Sequence, residues 1–275
     1  MLPDYMPDPQ YRSADGLNWS ALKHIGKSPK HYQHQLGALY SDSASFRLGR
    51  ATHAAILEPH RFQSDWVVYP GRRAGKAWQA FHEEHAGSEI LNETEHRTAQ
   101  AMAAAVQAHA PCAERLQEGW AERSIFWDEE VPCFAEPLTM KARLDWVYRD
   151  GDSWVLLDVK TARDISARGF GSAAGRYLYH GQVAHYLTGL QHIVGDAPVR
   201  AELLVVETEA PHDCGIYRLD DSAIECGMLR RISLLARLGK CMTEDHWPGM
   251  LEQPQWLELP EWELALLDDA DVVED

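Results

Sequence analysis

Cysteines are few in this 275-residue chain, and nothing in their arrangement suggests pairing. The five (Cys112, Cys133, Cys214, Cys226 and Cys241) are odd in number and form no C-x-x-C. That suits ordinary thiols in a reducing compartment better than a disulfide framework. Long hydrophobic runs are missing as well: no stretch of about 18 apolar residues occurs, so no membrane-spanning helix is expected. The first residues, MLPDYMPDPQYRSADG, lack the basic start and apolar segment of an export signal. A cytoplasmic protein without membrane contacts is the resulting expectation. Internal repeats and low-complexity linkers are also absent, which excludes solenoids and extended arrays.

Positive charge is scarce. Lys and Arg number 26 against 42 Asp and Glu, a formal balance of −16, which argues against a nucleic-acid partner. The deficit is uneven, however. No Lys or Arg follows Lys240, whereas eleven acids do, leaving 31 acids against 26 bases in residues 1–240. Any positive path for a polyanion would therefore be local. What the chain does have, 45% hydrophobic and 25% charged residues, is enough to build a sizeable core.

Residues 16–35 read as a helix interrupted near Ser28-Pro29, because proline disfavours helical geometry in the residue before it. A second helix is expected after Ser43 or Ser45 as N-cap, running through FRLGRATHAAIL to Glu58-Pro59. Asn92-x-x-Glu95 is a capping-box pattern opening an alanine-rich helix that ends before Pro111. From residue 120 strands follow: SIFWDEEV, LTMKARLDWVYRD and SWVLLDVKTA, with Asp150-Gly151 as a hairpin turn between the last two. A long helix over about 175–193, strands AELLVVET and CGIYRL, and a helix capped by Asp221 or Ser222 complete the pattern. The expected fold class is α/β, one mixed sheet flanked by helices. Residues 1–245 read as one domain. Residues 246–275 read as an acidic, irregular tail whose Trp247, Trp256, Leu257 and Trp262 would gain by packing.

The chemistry concentrates in LDWVYRDGDSWVLLDVK. Strand alternation puts Asp158 and Lys160 on one face and turns Val159 away, and the paired strand could bring Asp145 beside them. The apolar run through Trp154, Val155, Leu156 and Leu157 implies burial. Two buried carboxylates need a partner. A hard divalent cation, Mg²⁺ or Mn²⁺, meets that need. An ordinary solvent-facing salt bridge between Asp158 and Lys160 is the alternative. Other candidate motifs fail: His82 and His85 are three apart rather than four, and GSAAGRY follows no phosphate-binding strand.

Asp145, Asp158 and Lys160 resemble the core of the PD-(D/E)xK nuclease superfamily in the form D…D-x-K. Gly49-x-x-x-His53 is similar to the G-x-x-x-H motif of RecB-like and RecE-like nucleases, and Gln182-x-x-x-Tyr186 to their Q-x-x-x-Y motif. Ser28-Pro29, the Glu58-Pro59 context and LLVVETEAPHDCGIYRL with Glu207 resemble RecE-type (exonuclease VIII-like) phage exonucleases in particular. Together these matches run from about residue 16 to 240, in the family's order.

The resemblance implies a restriction-endonuclease-like fold with Asp145, Asp158, Lys160, Gln182 and Tyr186 as catalytic residues. It also implies metal held by His53, Asp145, Asp158 and the carbonyl of Val159. Gly49, one turn from His53, would let its helix approach the sheet closely. Lys160 would orient or deprotonate water; Gln182 and Tyr186 would hold the strand or position Lys160, although Tyr186 could equally be a packing residue. The implied activity is Mg²⁺-dependent resection of the 5′ strand at double-stranded DNA ends in phage-type recombination. The implied partners are a single-strand annealing protein and further copies of the chain in a ring, expected to be a tetramer. Lys23, Lys27, Lys30, Arg47, Arg50, Arg72, Arg73, Lys76, Arg143 and Arg176 are candidates for phosphate contacts, with residues 71–76 as a DNA-contacting loop. The iron–sulfur cluster of some relatives is not expected, because Cys214, Cys226 and Cys241 are too far apart in sequence. An endonuclease or Cas4-like enzyme, and a non-catalytic binding module, remain alternatives.

Overall fold

Turn chemistry and alternation account for the centre of the molecule, and side-chain caps start five of its described helices. The computed structural model describes residues 2–37, 43–132 and 134–270, and the side chains as far as residue 265. Cys133 and the last acids of the tail lie outside the described residues. A short α1 (Asp8–Ser13) is followed by α2 (Trp19–Leu22), a 3-10 turn over Lys23–Gly26 and α3 (Pro29–Gly37), so the chain breaks at Ser28-Pro29 as expected. Helix α4 (Ala44–Leu57) is capped by Ser43, whose side chain accepts from the Phe46 N–H. It runs into α5 (Pro59–Asp65), with proline in the first turn, where its missing N–H costs nothing.

Next come β1 (Trp66–Val68), α6 (Gly75–Glu84), β2 (Glu89–Leu91) and α7 (Glu93–Ala108). The α7 start is a full capping box: Asn92 accepts from the Glu95 N–H, and the Glu95 carboxylate accepts from the Asn92 N–H. Helix α8 (Ala110–Arg115) then leads to β3 (Trp120–Glu129), β4 (Leu138–Asp150) and β5 (Ser153–Ala162), with Gly151 at φ 57° in the β4–β5 turn. Helices α9 (Ala167–Tyr177) and α10 (Tyr179–Val194) lead to β6 (Val199–Glu207), β7 (Cys214–Arg218), α11 (Asp221–Glu244) and α12 (Glu261–Ala270).

The main sheet has the order β3-β4-β5-β6-β7, parallel only between β5 and β6. A parallel pair needs a crossover, and α9 and α10 supply it. One sheet face packs Ile125, Met140, Leu144, Leu156 and Leu203 under α10 and α11. The other packs Trp146, Tyr148, Leu157, Val159 and Leu204 under α4, α7 and α8. This is the α/β mixed sheet flanked by helices that the sequence implies. None of the described helices is long and apolar enough to cross a membrane.

Several boundaries differ from expectation. The helix expected over 175–193 is two, broken where Leu178 takes a left-handed conformation at φ 58°. The α11 cap is Asp220, which accepts from the Ala223 N–H, rather than Asp221 or Ser222. A Cβ added at Gly49 would meet open space, so close approach to the sheet does not explain that glycine. Beyond α11, Trp247 stacks on Tyr32 and the Pro248 carbonyl accepts from the Lys30 N–H. Trp256, Leu257 and Trp262, by contrast, are 97%, 86% and 75% exposed instead of packed, and α12 is regular helix.

Candidate active site

Strands β4 and β5 part at the point where the acids stand. Their ladder stops at Trp146↔Leu157, one step short of Asp145 and Asp158. Instead of another ladder bond, the Val159 N–H donates to Asp145 Oδ2 at 2.8 Å. The N–H and C=O of an extended residue point to the same strand edge, so the Val159 carbonyl faces the Asp145 side too.

A second irregularity lies across β4. The β3–β4 register keeps a constant offset, but the step that would pair Glu122 with Asp145 is missing from it. On β4, Met140, Ala142 and Leu144 face the α10 side, whereas Trp146 and Tyr148 face the α7 side. On β3, Ile125 and Trp127 face the α10 side, whereas Ala121 faces the α7 side. Alternation therefore slips by one residue on both strands at this step, and Glu122 absorbs it with φ 51°. A non-glycine residue held there in a strand is costly, and such strain concentrates at functional sites.

The outcome is a cluster. His53 on α4, Glu122 on β3 and Asp145 on β4 bring one donor atom each within 4.8 Å of one another, with His53 Nδ1 3.4 Å from Asp145 Oδ2. Asp158 does not complete that group. Its carboxylate, with no exposed surface, faces Lys160 in an ion pair and accepts from Gln182 Nε2 at 3.4 Å. Gln182 Nε2 also donates to the Tyr186 hydroxyl at 2.9 Å. The Asp158–Lys160 pair is thus buried rather than solvent-facing, and Gln182 and Tyr186 lie behind Asp158 on α10. Tyr186 is both a packing residue of the core and Gln182's partner.

Charge in the cluster is out of balance. Burial raises the Asp158 carboxyl to about 6, with Lys160 lowering it and Asp145 raising it further. Burial raises Glu122 to about 7, with Asp145 adding to the rise and Arg143 opposing it. Burial pulls the Lys160 ammonium down, but Asp158 and Asp145 outweigh it and the net shift is upward. Lys160 lies against Asp158 Oδ2 and offsets part of its charge. Three carboxylates and one imidazole make a donor set that fits a hard divalent cation.

Glu122 was not legible beforehand. Its place beside Asp145 follows from the β3–β4 register, which sets Glu122 opposite Asp145, and that pairing between strands is not written along either strand alone. Several expected phosphate contacts are committed elsewhere. Arg47 pairs with Glu95 at 2.6 Å and Arg50 with Glu89 at 2.9 Å. Arg143 donates to Glu122 at 2.6 Å. In the loop before α6, Arg73 donates to Glu95 and to the Ile90 carbonyl.

A family model described as "PDDEXK-like domain of unknown function (DUF3799)" matches residues 18–260. The chain belongs to this PDDEXK-like family. Its match spans the sheet, every residue of the cluster and Trp247, and it ends just before α12. Among curated proteins none matches. Among solved structures, a "Putative exonuclease" from Eubacterium rectale superposes with a TM-score of 0.61 at 10% identity, covering 95% of this chain and 98% of that one. At that identity the likeness is one of fold, shared over nearly the whole of both chains. SSO0001 matches more loosely, with a TM-score of 0.30 at 15% identity over 69% of this chain and 85% of the other.

Proposed function

We propose that the chain is a metal-dependent exodeoxyribonuclease hydrolysing phosphodiester bonds at double-stranded DNA ends. The observation that carries this reading is the grouping of His53, Glu122 and Asp145 beside the buried Asp158–Lys160 pair. A bound Mg²⁺ or Mn²⁺ would activate water and offset charge on the phosphate and the leaving 3′ oxygen. His53, Glu122 and Asp145 would hold the cation, with Asp158 and the Val159 carbonyl as further oxygen donors.

The chain's own groups do the rest. Lys160, kept charged by Asp158 and Asp145, donates toward the attacking water or a phosphate oxygen and offsets charge as it builds. It acts as a positioned cation rather than a free base. Gln182, held by Tyr186, fixes the Asp158 carboxylate, so both are positioning residues.

Resemblance of the motifs to RecE-type enzymes supports the finer reading: 5′-strand resection leaving 3′ single strands for phage-type recombination, in the cytosol of a bacterial host. The same resemblance supports an annealing-protein partner and a ring, a tetramer, around the DNA. The name of the Eubacterium rectale protein is consistent with an exonuclease.

The test is Mg²⁺-dependent degradation of linear duplex DNA, with covalently closed circles as the second substrate and Asp158→Ala as control. Loss of linear DNA only, abolished in the variant, is expected. Cleavage of closed circles would replace the exonuclease by an endonuclease, and no cleavage of either would leave a binding module.

A further inference from the structure

Beside the candidate active site lies a concave surface without carboxylates. Lys23, His24, Lys27, Arg176 and Arg230 line a cavity of about 410 Å³, with the Tyr177 ring at its edge. Among the described residues, Lys23, Lys27, Arg176 and Arg230 have no ion-pair partner, in contrast to Arg47, Arg50, Arg73 and Arg143. Burial holds the His24 imidazole below its usual value, and Lys23 and Lys27 add to that effect. On a chain with a balance of −16, this is uncompensated positive charge gathered in one place.

Two residues of the cavity lining, Lys23 and Tyr177, lead toward Lys160. Lys160 Nζ lies 4.9 Å from the Tyr179 ring centroid, and the Tyr179 ring stacks on Tyr177 at 5.7 Å and 28°. Lys23 is close enough to Lys160 for the two cations to repel. The break at Leu178 produces this arrangement. It ends α9 and starts α10 within one residue, and its left-handed backbone lets Tyr177 and Tyr179 stack instead of fanning around one helix. Tyr177 is left 54% exposed.

We propose that this cavity binds one unpaired DNA strand next to the candidate active site. Lys23, Lys27, Arg176 and Arg230 take the phosphates on either side of one nucleotide, and Tyr177 stacks on its base. The inference rests on the nuclease reading and extends it from the reacting bond to the strand on one side of it. A volume near 410 Å³ suits about one nucleotide rather than a duplex. Stacking also needs a base freed from its pair. Bases combined with an aromatic face are the general means of holding single strands without reading sequence.

The experiment measures anisotropy of a fluorescein-labelled dT12 oligonucleotide against the full chain in EDTA, so that no turnover intrudes, across a salt series. All three substituted side chains are exposed, and circular dichroism checks folding. Arg176→Ala/Arg230→Ala should lower the slope of log affinity against log salt by about 1.4, since each single-strand phosphate contact contributes about 0.7. Tyr177→Ala should lose roughly tenfold in affinity with the slope unchanged, and Tyr177→Phe should retain binding. Unchanged affinity and slope in these variants would overturn the proposal. Equal losses for a blunt 12-base-pair duplex would overturn its single-strand assignment. If the protein degrades linear duplex DNA while the variants bind dT12 normally, this inference alone fails. If dT12 binding falls as expected but no DNA is hydrolysed, the nuclease reading fails and the strand site stands.

Discussion

Glu122 and Asp145 confront each other at the step where β3 and β4 both change face. The ladder stays aligned on both sides of this step, where the two acids meet His53. Burial and the neighbouring Asp145 make Glu122 costly to keep charged, and a bound cation would offset that cost.

Glu122→Gln should therefore weaken Mn²⁺ binding by at least about tenfold and reduce DNA hydrolysis at least as much, with the fold retained. Calorimetric titration with Mn²⁺ checks the first part. Full-strength binding in the variant would remove Glu122 from the ligand set and leave His53 with Asp145 and Asp158.

Gln182 contacts Asp158 and Tyr186. If it acts by orienting Asp158, Gln182→Leu should lower kcat by roughly ten- to a hundredfold while KM stays near its original value. Tyr186→Phe should show a smaller effect of the same kind. A rise in KM with kcat unchanged would instead put Gln182 on the DNA strand.

Much of this was readable in advance because it is local. The Asp150-Gly151 turn, the Asn92/Glu95 capping box and the apolar run before Asp158 each declare themselves within a few residues. The misses have non-local causes. Three-residue strands such as Trp66–Val68 are too short to show a period. Leu178 breaks a helix without the glycine or proline that would announce it. Glu122 depends on which β3 residue stands opposite Asp145, a register that alternation along either strand alone conceals.

Glu202 on β6 is fully buried and compensated by Arg115, Arg218 and the Tyr148 hydroxyl, so its carboxylate sits below the usual range despite burial. Glu202→Gln would leave cations around a neutral group. A loss of about 3–5 kcal/mol is expected in urea unfolding. A loss under about 1 kcal/mol would mean that solvent already compensates Arg115 and Arg218.

His185 provides the pH-dependent term. It is fully buried, its Nδ1 accepts from Arg231 Nε at 3.2 Å, and its Nε2–H donates to the Lys141 carbonyl at 3.1 Å. Arg231 is in turn held by Glu129. Burial, with Arg231 adding to the effect, lowers its pKa from 6.5 to about 4. The unfolded chain therefore binds a proton on His185 between pH 6.5 and 4 while the folded one does not. Stability should be complete above pH 6.5 and fall as pH drops toward 4, by roughly 3 kcal/mol from this group. His185→Gln can keep an acceptor and a donor but cannot titrate, so its melting temperature should fall less steeply over that interval. If variant and parent show parallel pH dependence in thermal melts, the acid-sensitive group lies elsewhere.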